Sequence, residues 1–283
     1  MRQRHAVANT GITKWRLFDN GFRSPWSIHQ KTVPIAKSIS VHHETQRTYH
    51  PDNWWSHRHR LGSTERFLSE SNRVILCGRR QNLLDQAQEK HPSIVTFQCD
   101  LGDAVDRNRL YQWVKTEHPE VDVLVNNAGI QNWMEIGSES FYVRAKDEIA
   151  INAEAPLHLI DLFSQLPSMR TIINVSSGLA FVPLVNVPVY CATKAFLHSL
   201  TKSLREQLRG RNIEMIEVIP PALNTDLGGK GIHDAYPPVR AFIEAIFPQL
   251  EAGHEEVTFG FSEQMAASGQ VFDPAFKRMN QLS

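Results

Sequence analysis

From about Thr64 onward, short aliphatic and β-branched runs alternate with stretches of helical periodicity, which predicts a parallel sheet joined by crossover helices. Strands are predicted at Arg73–Cys77, Ile94–Gln98, Val121–Val125, Thr171–Val175, Ile213–Ile219 and Glu256–Phe259. Between them, Gln81–Lys90 places Leu83, Leu84 and Ala87 on one stripe, and Asp106–Glu117 does the same with Leu110, Trp113 and Val114. Pro188–Arg209 is the strongest helix: Ala192, Phe196, Leu200, Leu204 and Leu208 recur near helical spacing, and Gly210 is its predicted stop. That stripe is expected to pack along the sheet. Shorter helices are predicted at Thr64–Glu70 and around Val239–Leu250. Residues 1–60 follow neither period, and Thr32–Ile39 is their one β-like run.

Composition narrows the class. A chain of 283 residues, 41% hydrophobic and 21% charged, can bury a large core, which excludes a small disulfide knot and wholesale disorder. Thirty basic against thirty acidic residues leave no net field, so nucleic acid is not an expected partner. Cys77, Cys99 and Cys191 are too few and too scattered for a disulfide framework or a zinc site, which suits a reducing compartment. No apolar run approaches the length of a membrane span, so no membrane partner is expected either. The expected location is cytoplasmic. A mitochondrial one is the alternative, because residues 1–40 carry seven basic side chains and only Asp19 as an acid. His42, His43, His50, His57 and His59 lack the scaffold a metal site needs, so none is expected.

The chemistry concentrates in the second half. Tyr190 and Lys194 stand four apart and so share one face of the strongest helix. A tyrosine of ordinary pKa, about 10, is a poor proton donor or acceptor at neutral pH, and a neighbouring ammonium is expected to lower it into a useful range. Ser176 and Ser177 follow the strand Thr171–Val175, with Ser177 thirteen positions before the tyrosine. Ligands of open α/β sheets sit at the carboxyl ends of the strands, where such a hydroxyl can meet the tyrosine. Asn126-Asn127-Ala128-Gly129 ends the strand Val121–Val125, its small residues allowing backbone to approach a flat ligand.

Asn-Asn-Ala-Gly at 126–129, Asn152, Ser177 and Tyr190-x-x-x-Lys194 together resemble the short-chain dehydrogenase/reductase family, over roughly Thr64 to Phe261. The resemblance implies a Rossmann-type, doubly wound α/β fold for residues 64–283 and an NAD(P)-dependent oxidoreductase acting on a small carbonyl/alcohol substrate. It implies that Tyr190 is the general acid/base, that Lys194 lowers its pKa, that Ser177 orients the reacting oxygen and that Asn152 supports a water-linked proton relay. For the cofactor it implies Asp100 at the adenine, Asn127, Ala128 and Gly129 along the adenosine half, and Tyr190 and Lys194 at the nicotinamide ribose. Pro220 and Thr225 complete that set. Family members often pair through two long helices, here about Lys146–Leu166 and Pro188–Arg209, so a homodimer or homotetramer is expected. Where the family usually reads Pro-Gly after the sixth strand, this chain has Pro220-Pro221-Ala222.

Cofactor choice follows from charge. The predicted strand Arg73–Cys77, which takes the place of the second strand of a dinucleotide-binding fold, is followed by Gly78-Arg79-Arg80 and no acid, which favours NADP over NAD, since a basic side chain there accommodates a 2′-phosphate. The family's glycine-rich phosphate loop is absent: Trp54, Trp55, His57, Arg58, His59 and Arg60 occupy its place. Read one nucleotide out of frame, the codons of this run can encode Ile-Thr-Gly-Gly-x-Thr-Gly-Ile-Gly-Leu. Residues 1–63 are therefore expected to be an aberrant or disordered segment, as from a frame-shifted gene model, with the first strand and phosphate loop missing or degraded. Two other classes stay open. One is a non-catalytic Rossmann-like module or an inactive member of the family. The other is an epimerase or dehydratase on nucleotide sugars, for which the part after Thr225 is too short. Residues 228–253 read as a lid over the pocket, and Trp133, Met134, Phe181 and Leu184 suggest an apolar or aromatic substrate.

Overall fold

Among the described residues, seven strands form one all-parallel sheet: β1 (Ile39–Glu44), β2 (Arg73–Gly78), β3 (Val95–Gln98), β4 (Val123–Asn126), β5 (Thr171–Val175), β6 (Glu214–Ile219) and β7 (Glu256–Thr258). Their spatial order is β3-β2-β1-β4-β5-β6-β7, so the winding direction reverses between β1 and β4. A crevice opens at such a reversal, at the carboxyl ends of the strands. This is a computed structural model that describes residues 39–44, 64–69, 72–268 and 278–279, the first of these segments by its backbone.

The helices are α1 (residues 64–69), α2 (Gln81–Lys90), α3 (Ala104–Glu117), α4 (Phe141–Ile149), α5 (Ala155–Phe163), α6 (Pro188–Arg209), α7 (Val239–Glu251) and α8 (Phe261–Ala267). Strand residues alternate between two cores, as the period of two requires. Ile75, Leu124, Ile172 and Met215 face α3, α5 and α6 through Leu110, Val114, Leu159, Phe163 and Leu208. Val74, Val123, Ile173 and Ile216 face the other way, against Phe67 of α1 and Phe242, Ile243 and Phe247 of α7. Asp103 caps α3 by accepting from the Val105 amide at 2.9 Å, and Pro188 opens α6, where a missing N–H is harmless.

Two expectations need correction. The first strand is not missing: Ile39–Glu44 pairs with β2 from Ile39↔Arg73 to Glu44↔Gly78, and with β4 at Ser40↔Val123 and Val41↔Leu124. The run Thr32–Ile39 touches it only at Ile39. Ladder bonds are made by backbone, so a run that includes His42, His43 and Glu44 can satisfy two neighbouring strands although it lacks the apolar pattern of a central strand. The place of the phosphate loop, and the rest of residues 1–63 before α1, lie outside the described residues.

The second correction concerns α6. The buried face carries Tyr190, Cys191, Thr193, Lys194, Leu197, Thr201, Arg205 and Leu208, whereas Ala192 is exposed and Phe196 is 40% exposed. Polar side chains anchor this face. Thr201 accepts from Asn174 at 2.9 Å, and Arg205 donates to the carbonyls of Met215 and Glu255. Gly210 has an ordinary helical φ of −69°, and the left-handed residue that ends the turn is Asn212, at φ 55°. Among the described residues no helix is long and apolar enough to cross a membrane, and no three metal-ligating side chains group together.

Candidate active site

Strand β5 delivers Ser176 and Ser177 to the carboxyl edge of the sheet. Ser177 is extended, and its hydroxyl accepts from the Leu179 amide at 3.1 Å, capping the short 3₁₀ turn Gly178–Ala180. From the first turns of α6, Tyr190 (5% exposed) and Lys194 (3% exposed) reach the same place. The Tyr190 phenol and the Ser177 side chain share a hydrogen bond. Lys194 Nζ donates to the Val175 carbonyl at 2.8 Å and lies 5.6 Å from the centroid of the Tyr190 ring. Three side chains from two elements 13 residues apart thus converge, as their spacing suggested.

Their electrostatics differ from the sequence reading. Burial lifts the Tyr190 phenol well above the ordinary tyrosine range; the Ser177 hydrogen bond opposes this, while Cys191 and Glu148 add to it. The Lys194 ammonium, beside the ring and donating to the Val175 carbonyl, does not offset that burial. Lys194 is itself pulled down to about 8 by burial, with the charge of Glu217 resisting. At neutral pH this gives a protonated phenol, held by a serine and beside a cation, which is the state of a proton donor.

The loop after β4 supplies the opposite wall. A side chain at Gly129 would meet Lys194 Nζ at 3.5 Å and Asn152 Oδ1 at 3.6 Å, so glycine keeps this corner open. Asn152 clamps the loop: its Oδ1 accepts from the Ile130 amide at 2.9 Å, and its Nδ2 donates to the Ile130 carbonyl at 2.8 Å and to Thr193 at 3.2 Å. It lies in a π turn, Ala150–Glu154, that joins α4 to α5. Such turns widen the helix locally and often sit at functional sites. The side chain of Asn152, the residue expected to support a water-linked proton relay, thus holds backbone.

A cavity of about 460 Å³ opens over these groups. Asn127, Gly129, Ser177, Tyr190, Lys194, Pro220 and Thr225 line it, so seven expected residues meet there. Ala128 turns into the core instead, and Asn152 stands behind the wall. Arg79 and Asp100, just past β2 and β3, lie apart from the cavity and face each other at 3.9 Å. Of the four residues expected to shape the substrate, Trp133 and Leu184 line the cavity; Met134 is buried outside the lining, and Phe181 packs edge-on against His198 at 4.5 Å. The lid segment contributes Ile232, His233 and Tyr236. Pro220-Pro221-Ala222 lines the wall without any positive φ, so the absent glycine is accommodated.

Two carboxyl groups that are 0% exposed escaped the sequence reading. Glu217 lies in the middle of β6. Glu148 lies one helical turn before Asn152. Its Oε1 accepts from the backbone and the side-chain amide of Asn132, and its Oε2 is buried without a partner. The i, i+4 spacing to Asn152 was the available signal. Burial raises its pKa to about 7, against the two Asn132 hydrogen bonds. The folded pKa exceeds the unfolded one, so the contribution to stability is complete below about pH 4.5 and is lost as pH rises through about 7. Melting curves of wild type and Glu148→Gln from pH 4 to 8 should therefore diverge, the wild type losing about 3 kcal/mol that the variant keeps. Parallel curves would contradict a buried, titrating Glu148.

The comparisons with known proteins agree with this architecture. The profile of the short chain dehydrogenase family matches residues 62–234. The uncharacterized oxidoreductase DltE of Bacillus subtilis (strain 168) is 39% identical over 231 residues, which is 78% of this chain and 91% of that protein. The NADP-dependent 3-hydroxy acid dehydrogenase YdfG of Shigella flexneri is 28% identical over 163 residues, 56% of this chain and 65% of that one. Among solved structures, a short chain dehydrogenase from Burkholderia cenocepacia J2315, in complex with NADP, superposes with a TM-score of 0.72 at 23% identity, covering 87% of this chain and 98% of that one. With its sheet order, its Ser177–Tyr190–Lys194 cluster and these matches, the chain belongs to the short-chain dehydrogenase/reductase family of oxidoreductases.

Proposed function

We propose that this protein interconverts an uncharged ketone or aldehyde and the corresponding alcohol, using NADP(H) in preference to NAD(H). The observation that carries this reading is the convergence of Ser177, Tyr190 and Lys194 on one cavity at the carboxyl ends of β4, β5 and β6. The donors present, and the open corner at Gly129 that a Cβ would fill, fit a nicotinamide cofactor. Lys194 and Tyr190 would hold the ribose, Thr225 and Pro220 the nicotinamide end, Asn127 to Gly129 and Asp100 the adenosine half, and Arg79 a 2′-phosphate. When bound, the cofactor supplies or accepts the hydride at the carbonyl carbon.

The protein's own part is proton transfer and orientation. In reduction the substrate oxygen sits between the Ser177 hydroxyl and the Tyr190 phenol, which share a hydrogen bond in its absence. Tyr190 gives up its proton as negative charge grows on that oxygen, and Lys194 stabilises the phenolate left behind. Oxidation runs the same groups in reverse. Asn152 keeps the 130–132 loop at the distance this requires. Lys194 is the one cationic side chain, and no carboxylate is present, among the described residues of the lining. Trp133, Leu184, Leu227, Phe261 and Met265 make the remainder chiefly apolar, which supports an apolar or aromatic substrate. NADP is supported by Arg79, by the NADP dependence of the YdfG protein and by the NADP bound in the Burkholderia structure.

NADPH fluorescence titration followed by a ketone screen tests the reading. Binding with consumption of NADPH on aromatic ketones is expected. A protein that binds no NADPH would be the non-catalytic module instead. Arg79→Ala should weaken NADPH by roughly 10- to 100-fold, the loss of one charge-assisted hydrogen bond, and leave NADH nearly unchanged. Equal losses would make Arg79 a structural partner of Asp100 alone.

A further inference from the structure

Beneath the catalytic cluster, on the far side of the Ser176–Ser177 turn, lies a second group of polar side chains that the reaction does not touch. Glu217 is 0% exposed in the interior of β6. Its Oε1 accepts from the Ser176 hydroxyl at 2.5 Å, and its Oε2 meets His198 Nδ1 at 2.8 Å. The arrangement follows from the register: Asn174 of β5 pairs with Glu217, so Asn174, Ser176 and Glu217 project to the same face, under α6. His198 comes down from α6 one turn after Lys194, and the Phe181 ring packs against its other side. A carboxylate in the middle of a fully covered parallel sheet is costly unless paired. The ammonium that enters the same interior is Lys194, anchored on Val175, the residue before Ser176.

We propose that Glu217, held by Ser176 and His198, is the counter-charge of Lys194 and thereby a positioning residue for the proton-transfer pair. This rests on the reading of Tyr190 and Lys194 given above. Glu217 touches neither substrate nor cofactor and acts through Lys194. Of the groups around this part of α6, Glu217 reaches it from β6, His198 and Tyr190 stand on α6 itself, and Glu148 comes from α4 and acts on Tyr190. The field of Glu217 is the one that favours the charged lysine against burial. Without it the ammonium would be lost at lower pH. The same carboxylate ties down the serine next to Ser177, so the two donors that flank the substrate oxygen share one support.

The test uses the full chain and two measurements. The first is thermal stability against pH, from 6 to 9, for wild type, Glu217→Gln, Lys194→Met and the double variant. Lys194 has a folded pKa of about 8, below its unfolded value, so folded stability rises with pH above that point. Taking each protein minus its Lys194→Met counterpart isolates this rise. In the Glu217→Gln background its onset should move down by about one pH unit. An unmoved onset would overturn the proposal. If Glu217→Gln does not fold, the double variant decides: a cooperative melt restored by removing the lysine supports the pairing, and continued failure contradicts it. The second measurement is the pH profile of NADPH-dependent reduction, whose alkaline limb should move down by the same unit in Glu217→Gln. A uniform loss of rate with an unmoved limb would give Glu217 a merely structural role. Absence of turnover in the wild type would count against the proposed activity, while the stability profiles would still report on the pair.

Discussion

Tyr190→Phe should lower ketone reduction by about 10²- to 10⁴-fold, the usual contribution of a positioned proton donor, while NADPH affinity changes little. The ring fills the same volume against Val187 and Cys191, so the wall of the cavity survives. What is lost is the hydroxyl that hydrogen-bonds Ser177 and whose proton burial retains at neutral pH. Stopped-flow NADPH oxidation and a fluorescence titration on the same preparations separate the two quantities. Turnover within a few-fold of wild type would remove Tyr190 from the chemistry. A parallel loss of NADPH binding would make it a structural residue.

The largest expected effect on stability is at Phe163. Its ring is fully buried at the end of α5, meets Tyr111 of α3 edge-on at 5.6 Å, and belongs to the core that ties α3, α5 and α6 to the sheet. Phe163→Ala removes that burial and leaves a cavity among groups fixed by two helices, so it should cost about 3–5 kcal/mol. For a domain of this size the melting temperature should fall by roughly 6 to 20 °C. Differential scanning calorimetry measures it. A loss below 1 kcal/mol would mean that the helices close over the gap, which the packing described here opposes.

Much of this architecture was legible in the sequence because a parallel sheet buried on both faces writes itself as apolar runs. Thr171–Val175 and Pro188–Arg209 match their predicted bounds, and β2, β3, β4, β6 and β7 lie within a residue or two of theirs. The strand β1 was missed because its residues do not follow that pattern; its place in the sheet is set by backbone pairing on both sides. The face of α6 was misread for a related reason. Of the stripe that hydrophobic spacing selected, Leu200, Leu204 and Leu208 pack on the core but Ala192 and Phe196 face outward, whereas Thr193, Lys194, Thr201 and Arg205 are buried by hydrogen bonds made to other elements.

At the site, Ser177, Tyr190, Lys194, Asn127 and Gly129 could be found because each is fixed by a local rule, a strand end or a single helix face. Glu148 and Glu217 could not be placed in this way. Their partners lie 16 and 41 residues away, on elements whose mutual orientation only the folded chain defines. The sign of the tyrosine's shift was unreadable for the same reason. Spacing puts a lysine near a tyrosine, but burial, which acts on both, depends on everything packed around them.

The central claim is that hydride and proton reach a ketone in this cavity. A single-turnover reaction of the full chain with NADPH dideuterated at the nicotinamide C4, in the presence of an apolar aromatic ketone, tests it most directly, with the alcohol product analysed by mass spectrometry. The account predicts one deuterium on the carbinol carbon of the product from wild type, and almost none in the same time from Tyr190→Phe. NADPH bound and left unoxidised across the ketone panel, or deuterated alcohol formed equally fast by both proteins, would contradict it.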